Sequence, residues 1–254
     1  MIDTHAHLYD KAFDDDRDEM LRRALDNGID RIVVPPTDSE SYARALNLCA
    51  KRPDMCFLAA GLHPTSVKEN HEEELSFVEQ QLSERKHIAV GETGIDCYWS
   101  LEYLDRQRDA FAKQLKLAER HSLPVIIHSR NAFSEIFPIL DRLHNPKIKG
   151  VFHAFSGSRQ DYFRIKGYET FKIGVGGPVT FKNSTLPEVL KEVPVADMLT
   201  ETDAPYLTPH PFRGKRNESC RIPLIVEKIA EIKQLSFQSV AETTAETARN
   251  LFGI

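Results

Sequence analysis

Eight short runs of apolar and β-branched residues recur roughly every 28 residues along the chain, at Met1–Thr4, Arg31–Pro35, Cys56–His63, His87–Gly91, Leu123–His128, Lys149–Phe155, Phe171–Val175 and Asp197–Thr202. Runs of this kind predict strands, and each interval between them is long enough for a helix. In one interval, Tyr103–His121, Phe111, Leu115 and Ala118 fall on one face and charges on the other, which is helical period. Such alternation favours parallel strands joined by right-handed crossovers. Eight units in 254 residues predict an α/β fold of the closed (β/α)8 TIM-barrel type, with residues 1–254 as one domain. A doubly wound open sheet is the competing arrangement. After strand eight, Ile222, Ile225, Val226 and Ile229 form an apolar stripe, and Val240–Leu251 reads as a further helix.

The composition, 41% hydrophobic and 28% charged, excludes a collagenous or disordered chain. No apolar run approaches the ~18 residues of a membrane span. The opening Met1-Ile2-Asp3-Thr4-His5 has no signal-peptide character, which predicts a cytoplasmic protein that does not engage membranes. Cys49, Cys56, Cys97 and Cys220 lie far apart with no Cys-x-x-Cys pair, so reduced thiols are expected. A net charge of −5 argues against coating duplex DNA by bulk electrostatics; any nucleic-acid contact must be local.

Residues that bind metals collect at the expected strand ends. His5 and His7, two apart in an extended segment, point to the same side. Glu92 follows the fourth run, His128 ends the fifth, His153 lies in the sixth and Asp203 follows the eighth. In a barrel the C-terminal strand ends converge on one face, where barrel enzymes place their chemistry. Four imidazoles and two carboxylates exceed the need of one tetrahedral ion and suit two divalent ions bridged by Glu92, which lies between His5, His7 and Asp203 on one side and His128 and His153 on the other. No lysine follows Lys86 in this strand to serve as a carbamylated bridge. The nitrogen-rich donors suit Zn²⁺, Mn²⁺, Co²⁺ or Ni²⁺ better than Mg²⁺.

The ordered segments Asp3-Thr4-His5-Ala6-His7, Gly61-Leu62-His63-Pro64, Gly91-Glu92-Thr93-Gly94-Ile95-Asp96, His128-Ser129-Arg130, His153-Ala154-Phe155-Ser156-Gly157 and Glu201-Thr202-Asp203-Ala204-Pro205-Tyr206-Leu207 together resemble the TatD family of metal-dependent deoxyribonucleases. The resemblance spans nearly the whole chain. It implies an amidohydrolase-like barrel with a divalent metal centre and 3′-to-5′ exonuclease action on single-stranded DNA, with RNA as a further candidate substrate. Family ligand positions carry over onto His5, His7, Glu92, His128, His153 and Asp203. Two places depart from the family pattern, Cys97 after the Gly-x-Asp turn and Ser219-Cys220 after Arg213-Gly214-Lys215-Arg216-Asn217-Glu218; neither is a ligand position.

Further residues have a candidate role beside a structural one. Glu201, two before Asp203, either joins the metal centre or supports a histidine ligand. His63 ends the third run as a candidate contact to substrate phosphate or to a metal-associated water. Gly174, Gly176 and Gly177 stand where barrels often bind phosphate, and Arg213, Lys215 and Arg216 in the loop after strand eight are candidate phosphate contacts. Tyr98, Trp99 and Tyr206 are candidates to stack bases. His71, His87, His121, His144 and His210 are not expected as ligands. The expected chemistry is hydrolysis of a phosphodiester by metal-activated water, with Asp203 accepting its proton and Glu92 fixing the metals. The rival readings are an amidohydrolase or lactonase acting on a small molecule, and a metal-binding adaptor without turnover. The oligomeric state is not encoded in these patterns.

Overall fold

The computed structural model describes residues 1–254. Its strands are β1 (Ile2–Asp3), β2 (Arg31–Val34), β3 (Cys56–Leu58), β4 (Val90–Asp96), β5 (Val125–Arg130), β6 (Gly150–Phe152), β7 (Phe171–Val175) and β8 (Met198–Thr200). The helices are α1 (Arg17–Asp26), α2 (Ser39–Lys51), α3 (His71–Glu84), α4 (Leu104–His121), α5 (Phe133–Leu143), α6 (Arg159–Gly167), α7 (Leu186–Leu190), α8 (Ile222–Lys233) and α9 (Phe237–Phe252). No helix is long and apolar enough to cross a membrane.

All strand pairs are parallel, in one ladder β1-β2-β3 and another running in order from β4 to β8. Backbone bonds join the two ladders at both edges. Between β3 and β4, Ile88 N donates to Leu58 O (3.1 Å) and Gly91 N to Ala60 O (2.9 Å). Between β8 and β1, Thr4 N donates to Thr200 O (3.0 Å), Asp203 N to His5 O (2.8 Å) and His7 N to Ala204 O (2.8 Å). The eight strands therefore form a ring, the barrel that the alternation predicts.

Side-chain alternation sorts this ring into an inside and an outside. Ile32, Val34, Val125, Ile127, Phe152 and Ile173 face outward into the large core shared with the helices. Inside, Ile2, Val33, Ala59, Ile126, Val151 and Leu199 make a small apolar layer, closed from below by Ala245, Ala248, Leu251 and Phe252 of α9. Two residues further along their strands come His128 after Ile126, His153 after Val151, and Glu201 then Asp203 after Leu199. Polar groups thus sit directly above the apolar layer, at the C-terminal mouth.

The strands differ from the sequence reading mostly at their ends. β4 was expected over His87–Gly91 and instead spans Val90–Asp96, so Glu92 lies inside the strand. Its polar residues and its two glycines hide the strand pattern, yet all seven residues are buried, with Glu92 and Asp96 turned to His128 and Thr93 to α4. Gly91 and Gly94 hold positive φ (153° and 140°), and a β-carbon at Gly94 would collide with the His128 carbonyl. β3 stops at Leu58 short of the expected His63, which instead caps a 3-10 turn over Pro64–Ser66. β6 ends at Phe152, so His153 follows it, and β5 runs on to Arg130.

Candidate metal centre

Glu92 lies at the middle of the site and is almost completely buried. Its Oε2 is 3.1 Å from His5 Nε2 and 3.6 Å from His7 Nε2. On the same side, Asp203 Oδ1 stands 3.6 Å from His5 Nε2 and 3.4 Å from His7 Nε2, and the two imidazole nitrogens are 3.2 Å apart. The other oxygen of Glu92, Oε1, is 2.7 Å from His153 Nε2, 2.9 Å from His128 Nδ1 and 3.3 Å from His63 Nε2. One carboxylate therefore faces two groups of donors. His5 and His153 stack across the centre with ring centroids 3.9 Å apart.

These donors suit divalent ions. Four donors on a tetrahedral ion with bonds of ~2.0–2.1 Å lie ~3.3–3.4 Å from one another, and the separations around His5, His7 and Asp203 scatter about that span. The sets His5–His7–Asp203, His5–Glu92–His153 and His63–Glu92–His128 each bring their donor atoms together closely enough to share an ion. Tautomers agree as well. His7 Nδ1 lies 3.0 Å from the Pro35 carbonyl, so its proton belongs there and Nε2 keeps its lone pair for the centre. His128 places Nε2 2.9 Å from Asp96 Oδ2, which frees Nδ1.

Electrostatics point the same way. Burial pushes the Glu92 carboxyl up, but the imidazoles of His153, His63 and His5 outweigh it and hold it well below its ordinary value. Asp203 is likewise held low against burial by His7, His153 and His5. Burial pushes His153 down, and Glu92 and Glu201 more than reverse this, raising it well above the usual value. His5 is lowered by burial and by His153. The two carboxylates draw positive charge into a closed space, a demand that a divalent ion meets.

Several supporting residues escaped the sequence reading. Buried Asp3 accepts from Thr202 N (2.9 Å), Thr202 Oγ1 (2.6 Å) and Ser219 Oγ (2.6 Å), tying the segment that carries His5 and His7 to the one that carries Asp203. Burial pushes its carboxyl up to about 7 in spite of these bonds. From α4, Gln114 donates through Nε2 to Thr93 Oγ1 (2.7 Å) and Leu62 O (3.1 Å), fixing the loop before His63 against β4. Asn217 Nδ2 donates to Thr202 O (2.8 Å) and Tyr206 O (2.7 Å) below the Asp203 loop. Asp3, Thr93, Asp96, Thr202, Asn217 and Ser219 stand in motif segments that the sequence singles out, without a supporting role given to them, and Gln114 stands outside them.

The remaining candidates divide. His63 joins the cluster, its Nε2 3.3 Å from Glu92 Oε1. Glu201 accepts from Ala154 N and lies 3.4 Å from His153 Nδ1, on the side of that ring away from Glu92, so it orients the imidazole from behind. A β-carbon at Gly174 would collide with the Glu201 carboxylate, and one at Gly177 with the Leu207 carbonyl, so these glycines make room for neighbours and offer no open phosphate cradle. Arg213 is exposed, its guanidinium stacked 3.8 Å over Phe181, and Lys215 is exposed nearby. Arg216 is taken up by Asp16 (2.7 Å) and Glu218 (2.8 Å), which Arg23 also bridges. It is a structural clamp, separate from the other two.

A model of the family described as TatD related DNase matches residues 2–253. A Bacillus subtilis relative named uncharacterized metal-dependent hydrolase YabD is 38% identical over 258 residues, covering 100% of this chain and 99% of its own. The protein named 3′-5′ ssDNA/RNA exonuclease TatD from Erwinia tasmaniensis is 32% identical over 261 residues, with 100% of both chains covered. The crystal structure of YjjV, a TatD homologue from Escherichia coli K12, matches with a TM-score of 0.94 at 34% identity, over 100% of this chain and 98% of that one.

Proposed function

Since the chain belongs to the TatD family of metal-dependent hydrolases, we propose that it is a 3′-to-5′ exonuclease of single-stranded DNA, with RNA as a second substrate, and that residues 1–254 work as one catalytic domain around two divalent ions. The observation that carries the two-ion reading is Glu92, whose oxygens are turned to different donor groups, His5 and His7 on one side and His63, His128 and His153 on the other. The substrate comes from the relatives: three that are 30–32% identical bear the name 3′-5′ ssDNA/RNA exonuclease.

Bound divalent ions supply charge that makes water nucleophilic near neutral pH and neutralises phosphodiester oxygens. His5, His7 and Asp203 would hold one, His128 and His153 the other, with Glu92 between the two groups. Of the two central carboxylates Asp203 is the better proton acceptor, because its side chain is 15% exposed towards the mouth whereas that of Glu92 is 2% exposed. His63, beside Glu92 and 12% exposed, is positioned to meet a phosphate oxygen. Nitrogen-rich donors favour Zn²⁺, Mn²⁺, Co²⁺ or Ni²⁺ over Mg²⁺. The test is a metal-supplemented assay on strands labelled at one end. Stepwise shortening of single strands from the 3′ end is expected; inertness towards DNA and RNA together with turnover of a lactone or cyclic amide would overturn the substrate assignment.

A further inference from the structure

Trp99 and Tyr98 are large rings left 69% and 54% exposed, in the loop that leaves the mouth end of β4. Burying such rings is favourable, so two of them in solvent beside a reaction centre call for an occupant. The Arg130 guanidinium lies 3.8 Å from the Tyr98 ring centroid and 5.2 Å from that of Trp99, while the two rings meet edge to face at 5.0 Å. Arg130 stacks on these rings and pairs with no carboxylate, so its N–H donors stay available.

The group is built onto the metal centre. In the β4–β5 register Gly94 pairs with His128 and Asp96 with Arg130, so the arginine lies two residues beyond a ligand on the same face of its strand. Asp96 connects the two levels: Oδ2 meets His128 Nε2 at 2.9 Å, and Oδ1 accepts from Tyr98 N (2.9 Å) and Trp99 N (3.2 Å). Cys97 N, bonded to Arg130 O (2.9 Å), secures the loop from the other strand. A rise of ~3.3 Å per residue puts Arg130 about 7 Å along the strand from His128, within reach of a neighbouring nucleotide.

We propose that Trp99, Tyr98 and Arg130 form a subsite for the nucleotide adjoining the scissile one, with Trp99 stacking its unpaired base and Arg130 meeting its phosphate. This rests on the nuclease reading and adds the reason for single-strand preference. A base paired in a duplex has both faces covered and cannot lie on the indole, and in a chain of net charge −5 a local cation must draw in the backbone.

Trp99 is the only tryptophan, so its fluorescence reports on the subsite alone. Metal-loaded protein titrated with a single-stranded oligonucleotide made uncleavable by phosphorothioate linkages should show quenching that weakens when the strand is abasic or is closed into a blunt duplex. Trp99→Ala should raise KM for a single strand about ten-fold, with kcat changed less and metal content unchanged, and Trp99→Phe should recover most of the loss. Arg130→Gln should raise KM and flatten its salt dependence. Equal quenching by normal and abasic strands, or a wild-type KM in Trp99→Ala, would overturn the subsite. The two readings fail separately: wild-type protein that degrades no single strand overturns the nuclease, whereas degradation without quenching overturns the subsite alone.

Discussion

Asp203 and Glu92 sit on the same two imidazoles but differ in access, and substitution separates their roles. Asp203→Asn keeps one oxygen donor and removes most of the basicity. At saturating metal, with bound ions counted, kcat should therefore fall by about 10²–10⁴-fold while occupancy is kept; wild-type turnover in fully loaded protein would demote Asp203 to a peripheral ligand. Glu92→Ala should strip metal far more than His71→Ala, because His71 opens the outer helix α3, remote from the centre; elemental analysis of the two proteins makes the comparison. Asp96→Asn retains an acceptor for the loop amides yet removes charge from behind His128, and should weaken metal affinity by about 10–100-fold in a chelator titration. At this scale the sequence picked out the histidines and carboxylates that the structure gathers at the mouth, because they recur at strand ends. It concealed what braces them. Asp3 is held by Ser219 and Thr202, some two hundred residues away, and only the closed ring makes them neighbours.

Strands were legible where apolar residues alternate and illegible where the barrel wall turns polar. β7 lies where its apolar run predicts, while β4 is displaced because Glu92 and Asp96, turned to the mouth, and Thr93, bonded to Gln114 of α4, look like a loop in the sequence. The glycines of β4 carry their own expectation: Gly94→Ala, at a φ of 140° and against the His128 carbonyl, should cost on the order of 2–4 kcal/mol in denaturant unfolding. The loop after β8 divides in function. Arg213→Ala with Lys215→Ala should raise KM for an oligonucleotide and flatten its salt dependence with metal content intact, whereas Arg216→Ala should lower stability instead. The stability effect has a definite pH window. Hydrogen bonds from Arg216 and Arg23 hold Asp16 below its ordinary range, and they overcome burial to do the same for Glu218. Folded carboxylates with lowered pKa stabilise above the unfolded value of about 4, and the benefit is lost as pH falls through the folded value. The melting-temperature gap between wild type and Arg216→Ala should accordingly be full at neutral pH and close in acid.

Across the whole molecule, the proposed ions would couple to the fold. The candidate donors come from the segment after β1, from β4 and β5, and from the segments after β6 and β8, so ligation would favour the closed barrel over any opened form. A ligand present at ~100 times its Kd adds ~2.7 kcal/mol to unfolding free energy, and chelation should lower the melting temperature correspondingly. An unchanged transition with metal removed would mean that the donors are preorganised without it. The seam between β8 and β1 also bears on the birth of the protein. His5 and His7 are made well before Asp203, whose amide bonds to the His5 carbonyl. During translation the early histidines must wait, exposed and able to capture stray ions, until the last strand leaves the exit tunnel. Nascent chains arrested before residue 203 should hold metal loosely and without the Asp203 carboxylate, which would make loading of the full donor set an event that follows synthesis of the eighth strand.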